Sequence, residues 1–254
     1  MAPRKSSKLP EQSAPPEKSP GARDSVSRRA RVIGLAIHVF TAAGAAAGLM
    51  ALAAAFQAQF PAMFFWLAVA LVIDGIDGTF ARLARVSETA PEYDGAVLDL
   101  VVDYLNYVLV PVVGLWRSGL MPEDLALGLG ILVVVTSSLY FADRRMKMPD
   151  NFFRGFPALW NVVALYLFVF RPPAALNACV IVLLCGLMFV PVPFLHPMRV
   201  KRMQAMSVAF TCLWFGSAAL AVTQGLNTNM FAKGGLIASA LYFLFASVLR
   251  GRVK

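Results

Sequence analysis

Apolar stretches long enough to cross a bilayer recur along this chain, and short polar or basic stretches separate them. A membrane-spanning helix needs about 20 mostly apolar residues. The pattern therefore predicts an all-α integral membrane protein with about eight transmembrane helices. Their approximate bounds are Val32–Phe56, Pro61–Leu83, Tyr93–Arg117, Leu125–Ala142, Phe156–Phe170, Ala174–Val192, Met206–Thr223 and Phe231–Leu249. The fifth and sixth are short and are separated only by Arg-Pro-Pro, which indicates a tight helical hairpin or a partly re-entrant one.

The N-terminal tail differs from the rest of the chain. Residues 1 to about 30 are rich in Pro, Ser, Lys, Arg and Glu and lack the apolar residues needed for a core, so we expect a disordered tail. Residues 31–254 are expected to form one transmembrane domain. A signal peptide is the alternative interpretation of the first apolar run. We favour a retained span, because the charged lead is too long and the apolar run extends beyond a signal-peptide core.

Basic residues alternate between the loops in a way that predicts orientation. With the N-terminus in the cytoplasm, the cytoplasmic loops hold many Lys and Arg residues and the opposite connections hold few. The cytoplasmic set is Arg82, Arg85, Arg144, Arg145, Lys147, Arg154, Arg199, Lys201, Arg202, Arg250, Arg252 and Lys254, and the opposite set is Arg117, Arg171 and Lys233. The positive-inside rule therefore predicts that both termini are cytoplasmic.

The amino-acid composition limits the classes of protein and partner that fit this chain. Hydrophobic residues make up 59% of the chain and charged residues 15%, which excludes an ordinary soluble domain. The formal net charge of +9 belongs to the loops and the tail, so it predicts contact with anionic lipid headgroups and no nucleic-acid partner. Isolated polar residues in the spans are interpreted as packing residues. We expect His38 to be a packed or hydrogen-bonded histidine, and Gly44 and Gly48 to allow close helix packing.

Four aspartates interrupt the apolar pattern at the end of the second predicted span and the start of the third. Asp74 and Asp77 are three residues apart, and Asp99 and Asp103 are four apart, so each pair lies on one helix face. Charged side chains in or beside a membrane span are costly and indicate function. Both pairs are predicted at the cytoplasmic face, so the two helices would bring four carboxylates to one point.

Divalent cations would relieve the repulsion among such carboxylates. Carboxylate oxygens suit Mn²⁺ or Mg²⁺, and two ions would suit a phosphoryl-type displacement because they stabilise the attacking and leaving oxygens together. Gly78, Ala81 and Gly95 keep the same helix faces small, so a ligand can approach the backbone. Arg82 adds a fixed positive charge suited to phosphate. The sequence therefore predicts a metal-assisted site for a phosphate-containing substrate.

The motif Asp74-x2-Asp77-Gly78-x2-Ala81-Arg82, followed by Gly95-x3-Asp99-x3-Asp103, resembles the signature of the CDP-alcohol phosphotransferase family. The spacer from Arg82 to Gly95 is a few residues longer than in that signature, and the extra length lies in the polar turn VSETAPEYD. The resemblance implies an enzyme in which an acceptor hydroxyl attacks the β-phosphorus of a CDP-linked donor and CMP leaves. It also implies a homodimer.

The resemblance further implies a role for each motif residue. The implied metal ligands are Asp74, Asp77, Asp99 and Asp103, and the implied CDP contacts are Asp74, Gly78, Ala81, Arg82 and Gly95. Asp103 is also implied as the catalytic base toward the acceptor hydroxyl. A carboxylate beside metal ions suits that role, because it is held ionised within reach of the hydroxyl.

Three further segments, AVLDLVVDYLNYVLVPVV, FFRGFPALWN and FLHP, are similar to the bacterial branch of the family that uses choline as its acceptor. This similarity implies CDP-diacylglycerol and choline as substrates, and the bacterial inner membrane as the location. Choline is a quaternary ammonium, which aromatic faces recognise by cation–π attraction. Tyr107 and Asn106 follow Asp103 by four and three residues, so we expect both on the catalytic face, and Trp160 is a second aromatic candidate.

The basic loops leave alternatives open. Arg154 and Arg199 are candidates for binding lipid phosphate, or else belong to an interfacial belt of aromatic residues and basic anchors. Serine, glycerol phosphate or inositol phosphate could replace choline as the acceptor, because the loop arginines permit more polar substrates. Outside enzymology, a cation transporter or channel would also use intramembrane carboxylates. That class is disfavoured, because no inverted repeat is evident and the carboxylates lie at one membrane face instead of the midplane.

Overall fold

A computed structural model describes residues 26–145, 152–195 and 204–250 of the chain. The described residues form ten α-helices, one π-helical segment and two short strands. The helices are α1 Arg28–Phe56, α2 Phe60–Leu83, α3 Val86–Thr89, α4 Gly95–Tyr104, α5 Val110–Arg117, α6 Glu123–Ala142, α7 Trp160–Phe170, α8 Ala174–Leu187, α9 Gln204–Thr223 and α10 Met230–Arg250. The π-helical segment, Leu105–Leu109, joins α4 to α5 without a break, and the strands are β1 Phe152–Arg154 and β2 Pro193–Leu195. The first 25 residues, which include most of the predicted tail, and Arg199 lie outside the described residues.

Six of the eight predicted spans are present as helices long and apolar enough to cross a membrane. They are Arg28–Phe56, Phe60–Leu83, Gly95–Arg117, Glu123–Ala142, Gln204–Thr223 and Met230–Ser247. The other two predicted spans, α7 and α8, contain 11 and 14 residues and are shorter than a span requires. The chain is therefore an α-helical, multi-pass membrane protein with six span-length helices among its described residues.

The turn between α7 and α8 explains why they are short. Arg171 adopts a left-handed conformation at the end of α7, with φ of 46°, and two prolines follow it. Proline cannot continue a helix because it lacks the backbone N–H, so the chain must restart. The two helices then pack on different neighbours: α7 contacts α5 and the π-helical segment, and α8 contacts α6.

The two strands are a small departure from the all-α prediction. Strands β1 and β2 pair antiparallel, with Phe153 opposite Phe194 and Arg154 opposite Pro193. Beyond the ribbon, the backbone N–H of Gly155 donates to Val192 at 2.8 Å. The ribbon joins the two loops that the sequence singled out as aromatic and basic. Pairing of this kind between distant segments is not visible in a hydrophobicity pattern.

Helix α1 packs closely on the helices that carry the aspartates. Besides an extensive contact with α2, it touches α4, α5 and the π-helical segment. A Cβ added to Gly44 or Gly48 would lie 2.7 Å from the side chains of Val102 and Asn106, respectively. The small-residue pair therefore serves contact within the chain, since only small residues let helix backbones approach so closely. This places α1 directly beside α4.

Candidate metal and nucleotide site

Three of the four predicted carboxylates converge. One oxygen from each of Asp74, Asp99 and Asp103 lies within 4.8 Å of the others, and all three residues are half-buried. Oxygens spaced in this way can share one hard divalent cation, which would also offset their mutual repulsion. The donor set therefore fits a metal ion. Asp77 lies outside this group of three; it is 6% exposed and has the Thr41 side chain as a hydrogen-bonding neighbour.

Local backbone features fix where α2 ends and where α4, which carries the second half of the motif, begins. Helix α2 ends at Leu83, and Arg85 then takes a left-handed conformation with φ of 49°. Helix α4 begins after Asp94, whose side-chain Oδ1 accepts hydrogen bonds from the backbone N–H groups of Ala96 and Val97 at 3.0 and 3.1 Å. An aspartate in this position satisfies the free N–H groups of the first turn. The cap thus fixes where α4 starts, one turn before Asp99.

An open cavity of about 840 Å³ lies beside the carboxylates. The end of α2, the loop 84–94, the start of α4 and one face of α1 form its walls. Four of the five residues predicted to contact CDP line it, namely Gly78, Ala81, Arg82 and Gly95, and so do Asp77 and Asp99. The fifth, Asp74, is in the carboxylate trio instead. The predicted nucleotide contacts are thus adjacent to the predicted metal ligands.

Gly95 is required by a close approach. A Cβ at this position would lie 3.2 Å from Cε1 of His38 on α1, which is tighter than ordinary side-chain contacts. Gly78 differs, since its added Cβ would meet only Arg82 Nη1, at 3.4 Å. The Arg82 side chain is exposed and donates from Nη2 to Thr79 Oγ1 at 3.1 Å. Its guanidinium therefore remains available to a phosphate that enters the cavity.

The longer spacer forms one side of the cavity. Part of it folds into the single turn α3, where the Thr89 hydroxyl donates to the carbonyl oxygens of Ala84 and Arg85 at 3.3 and 3.2 Å. The spacer also contacts α1, because Arg31 forms an ion pair with Glu92. A Cβ on Gly34 would lie 2.6 Å from Thr89 Oγ1. The extra residues therefore lie against α1 and widen the wall of the cavity.

Two α1 residues at the cavity were not predicted as site residues. His38 and Thr41 both line it. We interpreted His38 as a packed histidine, and it is indeed only 8% exposed, but its Nε2 has no hydrogen-bond partner among the described residues. The available signal was their spacing: two polar residues three apart, on one face of an otherwise apolar helix. That signal alone does not show what the face contacts.

Tyr107 contacts the carboxylate cluster directly. Its hydroxyl donates to Asp74 Oδ2 at 2.5 Å, and the residue is 8% exposed. Asn106 points to a different neighbour, since its Nδ2 donates to the carbonyl oxygens of Gly44 and Val102 at 3.1 and 3.0 Å. The π-helical turn at Leu105–Leu109 holds both residues. The two side chains predicted to share the catalytic face therefore diverge, and only Tyr107 touches an aspartate of the cluster.

With this geometry in place, comparison with known proteins decides the family. Residues 36–195 match the model for the family described as CDP-alcohol phosphatidyltransferase. The chain belongs to this family. It is 42% identical over 219 residues to a phosphatidylcholine synthase of Bradyrhizobium diazoefficiens, covering 86% of this chain and 82% of the relative. It is 39% identical over 209 residues to a phosphatidylcholine synthase of Pseudomonas aeruginosa, covering 82% and 87%.

A third relative agrees with these two. The chain is 38% identical over 219 residues to a phosphatidylcholine synthase of Mesorhizobium japonicum, covering 81% of this chain and 82% of the relative. The match to the family ends at residue 195, whereas alignments with the relatives extend over more than four fifths of the chain. The CDP-alcohol phosphatidyltransferase region thus includes the carboxylate trio, the cavity and both strands.

The remaining candidates for substrate contact in this CDP-alcohol phosphatidyltransferase lie elsewhere. Trp160 is fully buried, and its indole N–H donates to Ser137 Oγ at 2.9 Å, so its packing gives no support to a choline contact. Arg154 is half-buried at the end of β1 and lies close enough to Asp143 to favour its charged form. Hydrogen bonds from Arg145 have the larger effect and lower the pKa of the Asp143 carboxyl to about 2. Asp143 and Arg145 directly follow the end of α6.

Proposed function

We propose that this chain is a phosphatidylcholine synthase, which transfers the phosphatidyl group of CDP-diacylglycerol to choline and releases CMP. The observation that carries the proposal is the carboxylate trio of Asp74, Asp99 and Asp103 beside a cavity lined by the remaining motif residues. The relatives named phosphatidylcholine synthase support choline as the acceptor, because their similarity extends over most of the chain.

Asp74, Asp99 and Asp103 would hold a divalent ion, and Asp77, on the same helix face as Asp74, would help to hold a second. We propose Mn²⁺ or Mg²⁺, since both prefer carboxylate oxygens. Bound there, the metal supplies positive charge that offsets the charge on the diphosphate. Gly78, Ala81, Arg82 and Gly95, with Asp74, are proposed to bind the CDP moiety, and Arg82 contributes the positive charge among them.

The reaction needs one proton acceptor and one leaving group. Asp103 takes the proton from the choline hydroxyl, whose oxygen then bonds to the β-phosphorus of CDP-diacylglycerol. The bond from that phosphorus to the oxygen of CMP breaks, and CMP carries the electron pair away. No covalent bond to the protein is formed. The half-buried position of Asp103 within the trio suits this role, because the base lies where the phosphorus would be held.

Choline would lie near Tyr107, whose ring is held next to Asp74 by the hydroxyl hydrogen bond. An aromatic face can attract the quaternary ammonium there. We also propose Asn106 and Trp160 as contacts for the same ligand, and Arg154 and Arg199 as contacts for lipid phosphate. We further propose that both termini and the site face the cytoplasm of a bacterial inner membrane, and that the protein forms a homodimer.

The test is an incorporation assay. Purified protein in detergent is incubated with CDP-diacylglycerol, Mn²⁺ and labelled choline, and label is followed into lipid while CMP release is measured. We expect choline incorporation that a metal chelator abolishes and that Asp103→Asn lowers by about 100-fold or more, since a general base contributes at least that much.

The other outcomes are equally informative. CMP release with serine, glycerol phosphate or inositol phosphate, but none with choline, would keep the family chemistry and change the acceptor. A wild-type protein that binds Mn²⁺ but releases no CMP with any acceptor would contradict the enzymatic proposal. It would bring forward cation transport, in which the same carboxylates bind the transported ion.

A further inference from the structure

Helix α1 forms one wall of the cavity, and no residue of the aspartate motif lies on this helix. His38 and Thr41 line the cavity from this helix, next to lining residues of α2 and α4. Thr41 is the hydrogen-bonding neighbour of Asp77 and so marks the level of the carboxylates along α1. His38 is three residues nearer the N-terminus, which places it about 4.5 Å farther from the carboxylates along the helix axis.

His38 is held firmly but is incompletely satisfied. It is 8% exposed, packs against the start of α4 at Gly95, and has its Nε2 buried without a hydrogen-bond partner among the described residues. Buried polar atoms nearly always have a partner, because leaving one unpaired costs free energy. An imidazole at the wall of a substrate cavity can obtain that partner from the substrate.

Tyr93 adds an aromatic surface at the same place. Its ring centroid lies 5.5 Å from that of His38, the two planes are tilted by 52°, and Tyr93 is 59% exposed. It belongs to the cavity wall formed by the longer spacer, which the Arg31–Glu92 ion pair attaches to α1. An exposed aromatic face can stack on a nucleic base, because every base presents a π-face.

We propose that His38 and Tyr93 form the nucleoside subsite of the donor, with His38 hydrogen-bonded to the nucleoside and Tyr93 stacked on the cytosine ring. The inference rests on the proposed function, since it takes the donor to be a CDP-linked lipid. The diphosphate lies at the carboxylates and Arg82, so the ribose and base extend along α1 toward the spacer. His38 and Tyr93 are positioned there to set donor affinity and to leave choline binding unchanged.

The experiment measures binding of CMP, the nucleotide product, to the full-length protein in detergent with Mn²⁺ by calorimetry. His38→Phe keeps an aromatic ring against Gly95 and removes both nitrogens. We expect it to raise the CMP dissociation constant and the KM for CDP-diacylglycerol about tenfold, the effect of losing one hydrogen bond worth about 1.4 kcal/mol. The KM for choline should stay within about twofold. Val39→Phe introduces the same side chain at the neighbouring α1 position, which is 69% exposed, and should leave CMP binding unchanged.

Repeating the titration with dCMP identifies the bonded group. A loss in His38→Phe for CMP but not for dCMP assigns the bond to the ribose 2′-hydroxyl, and an equal loss for both assigns it to another part of the nucleoside. CMP affinity within about twofold of wild type in His38→Phe would overturn the proposal. So would a rise in the KM for choline with unchanged CMP binding.

Tyr93→Leu decides the outcome if His38→Phe does not fold, because an exposed side chain can be replaced without disturbing the core. We expect this variant to weaken CMP binding about tenfold, in the range for loss of one base–aromatic stack. Unchanged binding would contradict the subsite. CMP binding is measured without an acceptor. A loss of CMP binding can therefore be distinguished from a loss of choline incorporation, which tests only the proposed reaction.

Discussion

The hydroxyl of Tyr107 is the most informative single atom to remove. In Tyr107→Phe the ring stays in place, whereas the 2.5 Å hydrogen bond to Asp74 Oδ2 is lost. The structure thereby separates two possible uses of this residue. If Tyr107 orients Asp74 for metal binding, Phe should fail to replace it; if only its ring serves choline, Phe should replace it fully.

The magnitude follows from the nature of the bond. A hydrogen bond to an ionised carboxylate contributes about 1.5–3 kcal/mol, and its loss corresponds to a change in binding of about 10- to 150-fold. Residues that orient metal ligands typically change metal affinity or activity by about 10- to 100-fold when replaced. We therefore expect Tyr107→Phe to raise the Mn²⁺ concentration for half-maximal activity by about 10- to 100-fold. The KM for choline should stay within about twofold, because the ring is retained.

The assay is CMP release at saturating choline and CDP-diacylglycerol, titrated with Mn²⁺. Tyr104→Phe is the matched control on the same continuous helix, since its hydroxyl makes two 2.9 Å hydrogen bonds, to the Val134 carbonyl and to Ser138 Oγ, away from the carboxylates. It should leave the Mn²⁺ requirement unchanged. An unchanged requirement in Tyr107→Phe would refute the reasoning. Tyr107→Leu tests the ring, and a choline KM equal to wild type would remove Tyr107 from the choline site.

Two further predictions concern packing. Gly48→Ala places a Cβ 2.7 Å from Asn106 Oδ1 and should destabilise the protein by about 1–3 kcal/mol in thermal unfolding. Gly128→Ala is the control, because its added Cβ has nothing within 4 Å and should not destabilise the protein. Equal unfolding midpoints for the two variants would contradict the α1 contact. Gly155→Ala combines a φ of +77° with a clash against a carbonyl oxygen at the end of α8, so it should lower the midpoint more than Gly225→Ala, where φ is +69° and the space is open. An equal loss in both would leave only backbone strain and exclude the clash.

The aspartate motif could be predicted from the sequence because the residues of each half lie close together in the chain. Helical spacing places Asp99 and Asp103 on one face, and the apolar runs around them predict the helices that present that face. The convergence of Asp74 with this pair therefore agrees with the expectation. Asp77 falls outside the trio, although it has the same spacing from Asp74 that the prediction relied on. Residue spacing sets the face of a side chain but not the distance between two helices.

The acceptor side was less predictable for the same reason. Asn106 and Tyr107 are consecutive, and their position after Asp103 suggested one shared face. The π-helical turn changes where both residues lie relative to Asp103, and the Gly44 carbonyl on α1 accepts a hydrogen bond from the Asn106 amide, whereas the Tyr107 hydroxyl donates to Asp74. Trp160 was an aromatic candidate for choline, yet α7 begins at this residue and places it in the core beside Ser137.

The sequence by itself determined the membrane class, six of the eight spans it predicted and the acidic motif, because hydrophobic length and helical periodicity are local properties of the chain. Tertiary structure alone decided that α1 forms one wall of the cavity and that the longer spacer forms another, which the Arg31–Glu92 pair attaches to α1. It also decided that Tyr107 bonds to Asp74, and that β1 and β2 join distant loops. These features depend on which helix faces meet, and that is set by the packing of small residues such as Gly44 and Gly48, whose partners lie far along the chain.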